Sequence, residues 1–205
     1  PVDRQLLLVE YLSVNEMYLW LMDAATGQKR ELGTRGGERV AYGDAKFTAD
    51  GKGLWVTSDR GSEFKHLFHV DLATGASTDL TPSLRWDVAD IDLSQDGSRL
   101  AYVTNEAGVS RLHLLDTRTR RELPVPQLPT GLVAGILFHP NGRDLAVTYV
   151  GARTPGDVYS IDVTTGDITR WTESELGGLR SADLQEPRLV TWKSFDGLEI
   201  SGFLT

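Results

Sequence analysis

The sequence contains no cysteine. Disulfides, thiolate zinc sites and a cysteine nucleophile are therefore excluded. The compartment stays open between cytoplasm and periplasm, because cysteine-free proteins occur in both. Long apolar runs are also missing. The longest, Leu6 to Val9, falls far short of the roughly 18 residues of a membrane-spanning helix, so no membrane partner is expected. No secretory leader pattern is visible, and the chain starts at Pro1. Basic residues are in deficit, with 21 Lys and Arg against 29 Asp and Glu and a formal net charge of −8. A nucleic-acid binder would show a basic stripe, so nucleic acid is not an expected partner either. Helical periodicity is scarce, and only Glu173 to Leu184 has the composition for a turn or two. What remains is ordinary for a soluble fold: 40% hydrophobic and 24% charged residues. A chain of 205 residues suffices for one large all-β domain or two small ones.

The informative feature is a repeat. Asp-Gly turns stand at Asp50-Gly51 and Asp96-Gly97, with Asn141-Gly142 next, in steps of 46 and 45 residues. A second mark, D-x-x-T-G, begins at Asp23, Asp71 and Asp162; Asp116 stands in phase but ends on Arg120 instead of Gly. Two independent marks keeping one period define a unit of about 45 residues. Asp-Gly and Asn-Gly supply the positive φ that tight hairpins need. The Asp of the second mark can bond its own turn, with Gly in the left-handed position. Arg120 fits that position only at a steric cost, so the third copy's turn is expected to differ.

Between the marks lie short runs rich in Val, Ile, Leu, Tyr, Trp and Thr, four to a unit, which are strands. Four-stranded antiparallel units at this period cannot bury both faces alone, and they stack face to face as β-propeller blades. The expected fold is all-β, a partial propeller over residues 1–172. Blades are expected at 44–82, 91–124 and 136–172, preceded by an incomplete one at 1–33 that lacks its first strand. A cut propeller exposes blade faces and edges, so the segment is expected to belong to a longer protein and, alone, to self-associate.

After Thr172 the period fails. Residues 173–187 form a polar connector, and 188–205 form a hairpin around Phe195-Asp196-Gly197. The runs RWTESELGGL and EPRLVTWKSFDGLEISGFL resemble the propeller-to-catalytic junction of the prolyl oligopeptidase family of serine peptidases. The likeness is closest to the acylaminoacyl-peptidase and dipeptidyl-aminopeptidase-like branch. The blade part of the resemblance is unspecific; the junction, about 30 residues, is the specific part. It implies that 188–205 is the first hairpin of an α/β-hydrolase domain. It also implies a parent enzyme that hydrolyses peptides, with the propeller gating and selecting substrate, and partners that are the peptide and that hydrolase domain. The family's nucleophile sits in G-x-S-x-G, which this sequence lacks. No triad residue carries over, and the chain alone is expected to be inactive. The rival class is a non-enzymatic propeller used for protein or ligand binding.

Other constellations point to no cofactor and no metal. His66 and His69, three apart on one strand, face opposite sides, and His113 and His139 lie in other blades. Asp90 and Asp92 share a strand face, where hydrogen bonding at the blade end is favoured over a cation. Trp20, Trp55, Trp171 and Trp192 read as inter-blade packing, and Trp86 lies on a loop. Loops joining second to third strands, and blade to blade, emerge on one face and look longer and more charged than the opposite turns. Arg60, Glu63, Trp86, Asp87, Glu106 and Arg153 are the candidates there for contact with substrate or with the hydrolase domain.

Overall fold

The computed structural model of the protein describes residues 4–33, 39–126 and 128–205. The first three residues of the incomplete unit at 1–33 lie outside the described residues. The chain is all-β, and each sheet runs antiparallel in sequence order. The first sheet has three strands, β1 (Gln5–Ser13), β2 (Glu16–Asp23) and β3 (Lys29–Leu32). The next has four: β4 (Tyr42–Phe47), β5 (Gly53–Ser58), β6 (His66–Asp71) and β7 (Ser77–Asp79). The third comprises β8 (Val88–Leu93), β9 (Arg99–Glu106), β10 (Val109–Asp116) and β11 (Arg121–Leu123). The fourth comprises β12 (Gly131–Phe138), β13 (Asp144–Gly151), β14 (Thr154–Asp162) and β15 (Ile168–Arg170). A two-stranded hairpin, β16 (Arg188–Lys193) and β17 (Glu199–Leu204), ends the chain. Within Glu173 to Leu184, the segment with the composition for a helical turn or two, a single 3₁₀ turn forms at Ser181–Asp183. Gly177 and Gly178, both at positive φ, interrupt anything longer. No helix among the described residues is long and apolar enough to cross a membrane.

Both repeat marks act as turns. In the D-x-x-T-G copies, Oδ1 of Asp23, Asp71 and Asp162 accepts the amides of the two residues that follow its neighbour, at 2.8–3.2 Å. The third copy does not differ as expected. Asp116 still accepts from Thr119, and the Arg120 amide donates to the Asp116 carbonyl at 2.8 Å, as Gly27 and Gly75 do to their own aspartates. Arg120 takes the left-handed conformation itself, at φ +57°. The turn wins because its hydrogen bonds outweigh the cost of about 1–2 kcal/mol for an L-residue there.

The sheets pack face to face across three apolar interfaces. Leu54, Val56 and Phe68 of the second sheet meet Leu19, Leu21 and Leu32 of the first. Trp55 and Leu67 turn the other way, onto Ile91, Leu100 and Tyr102 of the third sheet. Ala101, Val103, Leu112 and Leu114 then face Ile136, Phe138, Leu145 and Val147 of the fourth. Odd and even residues of one strand serve two interfaces, which is why β5 is buried along its whole length. The outermost faces keep apolar residues in the open, among them Leu6 on β1 and Leu137 on β12. Trp171 and Trp192 are also exposed, correcting the expectation that they pack between blades; Trp55 does so.

Candidate functional site

The loops joining second to third strands share one end of the stacked sheets, and the connector and hairpin lie along it. Arg153 Nε donates to the Leu184 carbonyl at 3.1 Å and stands 3.4 Å from Glu186, while the Arg153 carbonyl accepts from Ser181 at 3.3 Å. The Phe203 ring of β17 lies against Gly108, where an added Cβ would come within 2.9 Å of it. Two of these loops are shorter than expected. Asn105 and Glu106 belong to β9, and Gly151 and Thr154 to β13 and β14, leaving two-residue links at 107–108 and 152–153. Ala107 and Gly108 both take positive φ, the geometry that lets strands run unbroken into a tight hairpin. The 59–65 loop remains long.

The six residues expected on this face do not converge on one point. Arg60 donates to the Tyr42 hydroxyl at 3.1 Å, and Glu63 is exposed. Trp86 is 38% exposed. Beside it, Asp87 Oδ1 accepts the Lys65 amide at 2.8 Å and its carbonyl accepts the Asn105 amide, tying the second sheet to the third. Glu106 accepts the Thr104 hydroxyl at 3.1 Å. Arg153 is the one that holds the connector.

A second cluster, in part unforeseen, lies where β4, β8 and β12 run side by side. Lys46 Nζ is 2.8 Å from Asp92 Oδ1, and Asp92 Oδ2 accepts the buried Phe138 amide at 2.7 Å. One pleat away, Asp90 Oδ2 accepts the Ile136 amide at 3.1 Å, with Asp44 beside it. Each donor and acceptor lies 46 residues apart, so the period itself lines the carboxylates up with the next inner strand. No group of acidic or histidine side chains among the described residues is arranged to hold a metal ion.

Burial, and then the charge of Asp44, push the Asp90 carboxyl above its ordinary value of 3.8. The folded chain therefore holds this proton more tightly than the unfolded chain. Stability rises as pH falls through the window between the raised value and 3.8. Asp90→Asn keeps an oxygen for Ile136 and removes the ionised form, so its melting temperature should exceed the parent's at pH 7. The gain should shrink as pH falls through that window; a loss at pH 7 would contradict the assignment.

Ser62, His66 and Asp79 have the outline of a nucleophilic triad. Ser62 Oγ is 3.2 Å from His66 Nε2, and His66 Nδ1 is 2.7 Å from Asp79 Oδ2. The Leu84 carbonyl, however, is 3.0 Å from Nε2. Each ring nitrogen thus faces an oxygen that only accepts, and the nitrogen a serine would need as base is already engaged. In-phase residues of the fourth sheet show what the cluster does. Asp157, fully buried, pairs with Arg170 at 2.6 Å, the same positions with the acid on the third strand instead of the fourth. Thr81 and Thr172 accept the Leu67 and Val158 amides at 2.9 Å in the two sheets. These are clasps joining third strand to fourth. Thr154, Arg170, Thr172 and Ser174 all donate to Asp157, led by the Thr154 hydroxyl, and hold its carboxyl well below the usual range. The third sheet has Pro124 and Pro126 at the equivalent places, and a proline side chain can supply neither half of such a clasp.

With sheets, connector and terminal hairpin in place, solved structures can be compared over nearly the whole chain. Its structural neighbours include prolyl oligopeptidase-family enzymes. A prolyl endopeptidase, from work on inter-domain dynamics in catalysis and specificity, superposes with a TM-score of 0.79 at 18% identity, over 98% of this chain and 29% of that one. A puromycin hydrolase gives 0.81 at 22% identity, over 99% and 32%. TolB from Acinetobacter baumannii gives 0.65 at 25% identity, over 87% and 42%. The chain thus spans less than a third of either enzyme's length. No protein-family model and no curated protein matches the sequence.

Proposed function

We propose that this chain is the C-terminal part of the propeller of a peptide-hydrolysing serine peptidase, together with the first hairpin of its α/β-hydrolase domain. The observation that carries the reading is the extent of the likeness. The two enzymes superpose on 98–99% of the chain, connector and hairpin included, whereas TolB covers 87% at a lower TM-score. The hairpin supports it. Leu189, Trp192, Phe195, Leu198, Ile200 and Phe203 are all exposed, and so much apolar surface on two strands needs a body to cover it. In this reading the loop end borders the hydrolase domain, Arg153 fixes the connector, and Arg60, Glu63, Trp86, Asp87 and Glu106 line the approach to the catalytic centre. The propeller gates and selects substrate by size, and the chemistry belongs to residues outside this chain. Taken alone, the chain is inactive and self-associates through its open outer faces.

The test is to treat the full protein with a serine-directed fluorophosphonate while following peptidyl-amide hydrolysis. Inactivation with the label on a serine outside these residues is the expected result, and Ser62→Ala should change neither rate nor labelling. A full protein that neither hydrolyses peptides nor takes the label would sink the reading. The second reading, a propeller that only binds proteins or ligands, is favoured by the likeness to TolB.

A further inference from the structure

Arg120 stands where the other three turns carry Gly27, Gly75 and Gly166, yet its backbone is theirs. The left-handed conformation favours glycine, so what the position gains from arginine is the side chain. That side chain enters a cleft of about 390 Å³ between the second and third sheets, at the end opposite the connector and hairpin. The volume is within the range of small-molecule sites. The guanidinium comes within 3.5 Å of His69 Nδ1 and makes no ion pair among the described residues. A guanidinium only donates, so Nδ1 meets it as a lone pair. Burial first, and the Arg120 charge second, push the His69 pKa down, which keeps that ring neutral. His69 in turn packs against Trp55, with ring centres 4.8 Å apart, and the two rings line the cleft.

The carboxylates at the cleft are already engaged. Asp50 accepts from the Thr48 hydroxyl and the Lys52 amide. Asp71 accepts from the Ala73 and Thr74 amides and the Thr74 hydroxyl. Lys52 adds a second cation to the lining. An unpaired guanidinium beside a neutral imidazole, with an aromatic wall below, matches a planar oxyanion on an apolar body. We propose that this cleft binds a small flat organic acid, with Arg120 holding its carboxylate and the His69 ring, backed by the buried Trp55, against its apolar part. The site is independent of the peptidase reading, since it sits on the end away from the hairpin.

The experiment titrates the full protein with benzoate by calorimetry, with benzamide as its uncharged counterpart and inorganic phosphate as a second anion. Benzoate should bind saturably, and Arg120→Ala and Arg120→Gly should each weaken it by about tenfold or more, the worth of a charge-assisted contact. Arg120→Gly should also raise the ligand-free melting temperature, because its backbone strain is relieved. The stabilisation that benzoate gives the parent should be lost in the same variant. Undiminished benzoate binding in Arg120→Gly would overturn the proposal, as would no benzoate binding to the parent. Benzamide binding as tightly as benzoate would remove the role of charge. Phosphate binding in place of benzoate would overturn the ligand class.

Discussion

Leu100→Ala is expected to lower the unfolding free energy by about 2–5 kcal/mol, the range for truncating a fully buried leucine. Leu100 has no exposed surface and sits between Trp55 and Leu67 of the second sheet and Tyr102 and Leu115 of its own. The stacked arrangement gives the site little means of collapse. The third sheet is held on two sides, so closing the cavity would pull it from the opposite interface, where Ala101 and Val103 pack on the fourth sheet. Val14→Ala is the control. It lies in the turn between β1 and β2 at 77% exposure, and surface substitutions of that kind change stability by about 0.5 kcal/mol or less. Denaturant melts followed by tryptophan fluorescence should separate the two by their midpoints at unchanged slope. Equal midpoints would mean that the second and third sheets do not share this core.

Much of the architecture was legible because turn chemistry and the strand period agree. Asp23, Asp71, Asp116 and Asp162 end their hairpins with one set of hydrogen bonds, and residues at fixed phase repeat that set. Strand ends were less visible. Asn105 and Glu106 look like loop residues, but a left-handed Ala107 lets β9 run through them. Alanine gives no hint of positive φ, and only the tertiary pairing with β10 imposes it. The Arg120 turn fails for the reverse reason, since a residue that disfavours the conformation keeps it under the bonds of Asp116. The expected loop residues share the connector's end of the sheets, but their separate contacts depend on partners distant in sequence, such as Leu184 and Glu186 for Arg153. The clasps were in principle readable. Asp79 and Arg170 stand eight residues after their turn aspartates, Asp71 and Asp162, and Pro124 breaks the series in between. A pair that moves its acid from one strand to the other between copies is invisible to a search for identical residues.

Asp92→Ala should be the most costly change among the side chains that join inner strands. The Phe138 amide would lose its acceptor at a buried position, and an orphaned buried donor costs about 1–3 kcal/mol. Lys46 would also lose its carboxylate, but at 40% exposure it can turn to water, so that loss is expected to be small. Asp92→Asn divides the two effects. Its amide oxygen can still accept from Phe138 while the charge is gone, so most of the stability should return. Lys46→Met should likewise be mild, since it leaves the Phe138 bond untouched. Were Asp92→Asn as damaging as Asp92→Ala, the ion pair with Lys46 would be the dominant link between the inner strands. The 46-residue phase would then position charge on the inner strands instead of hydrogen-bonding one sheet to the next.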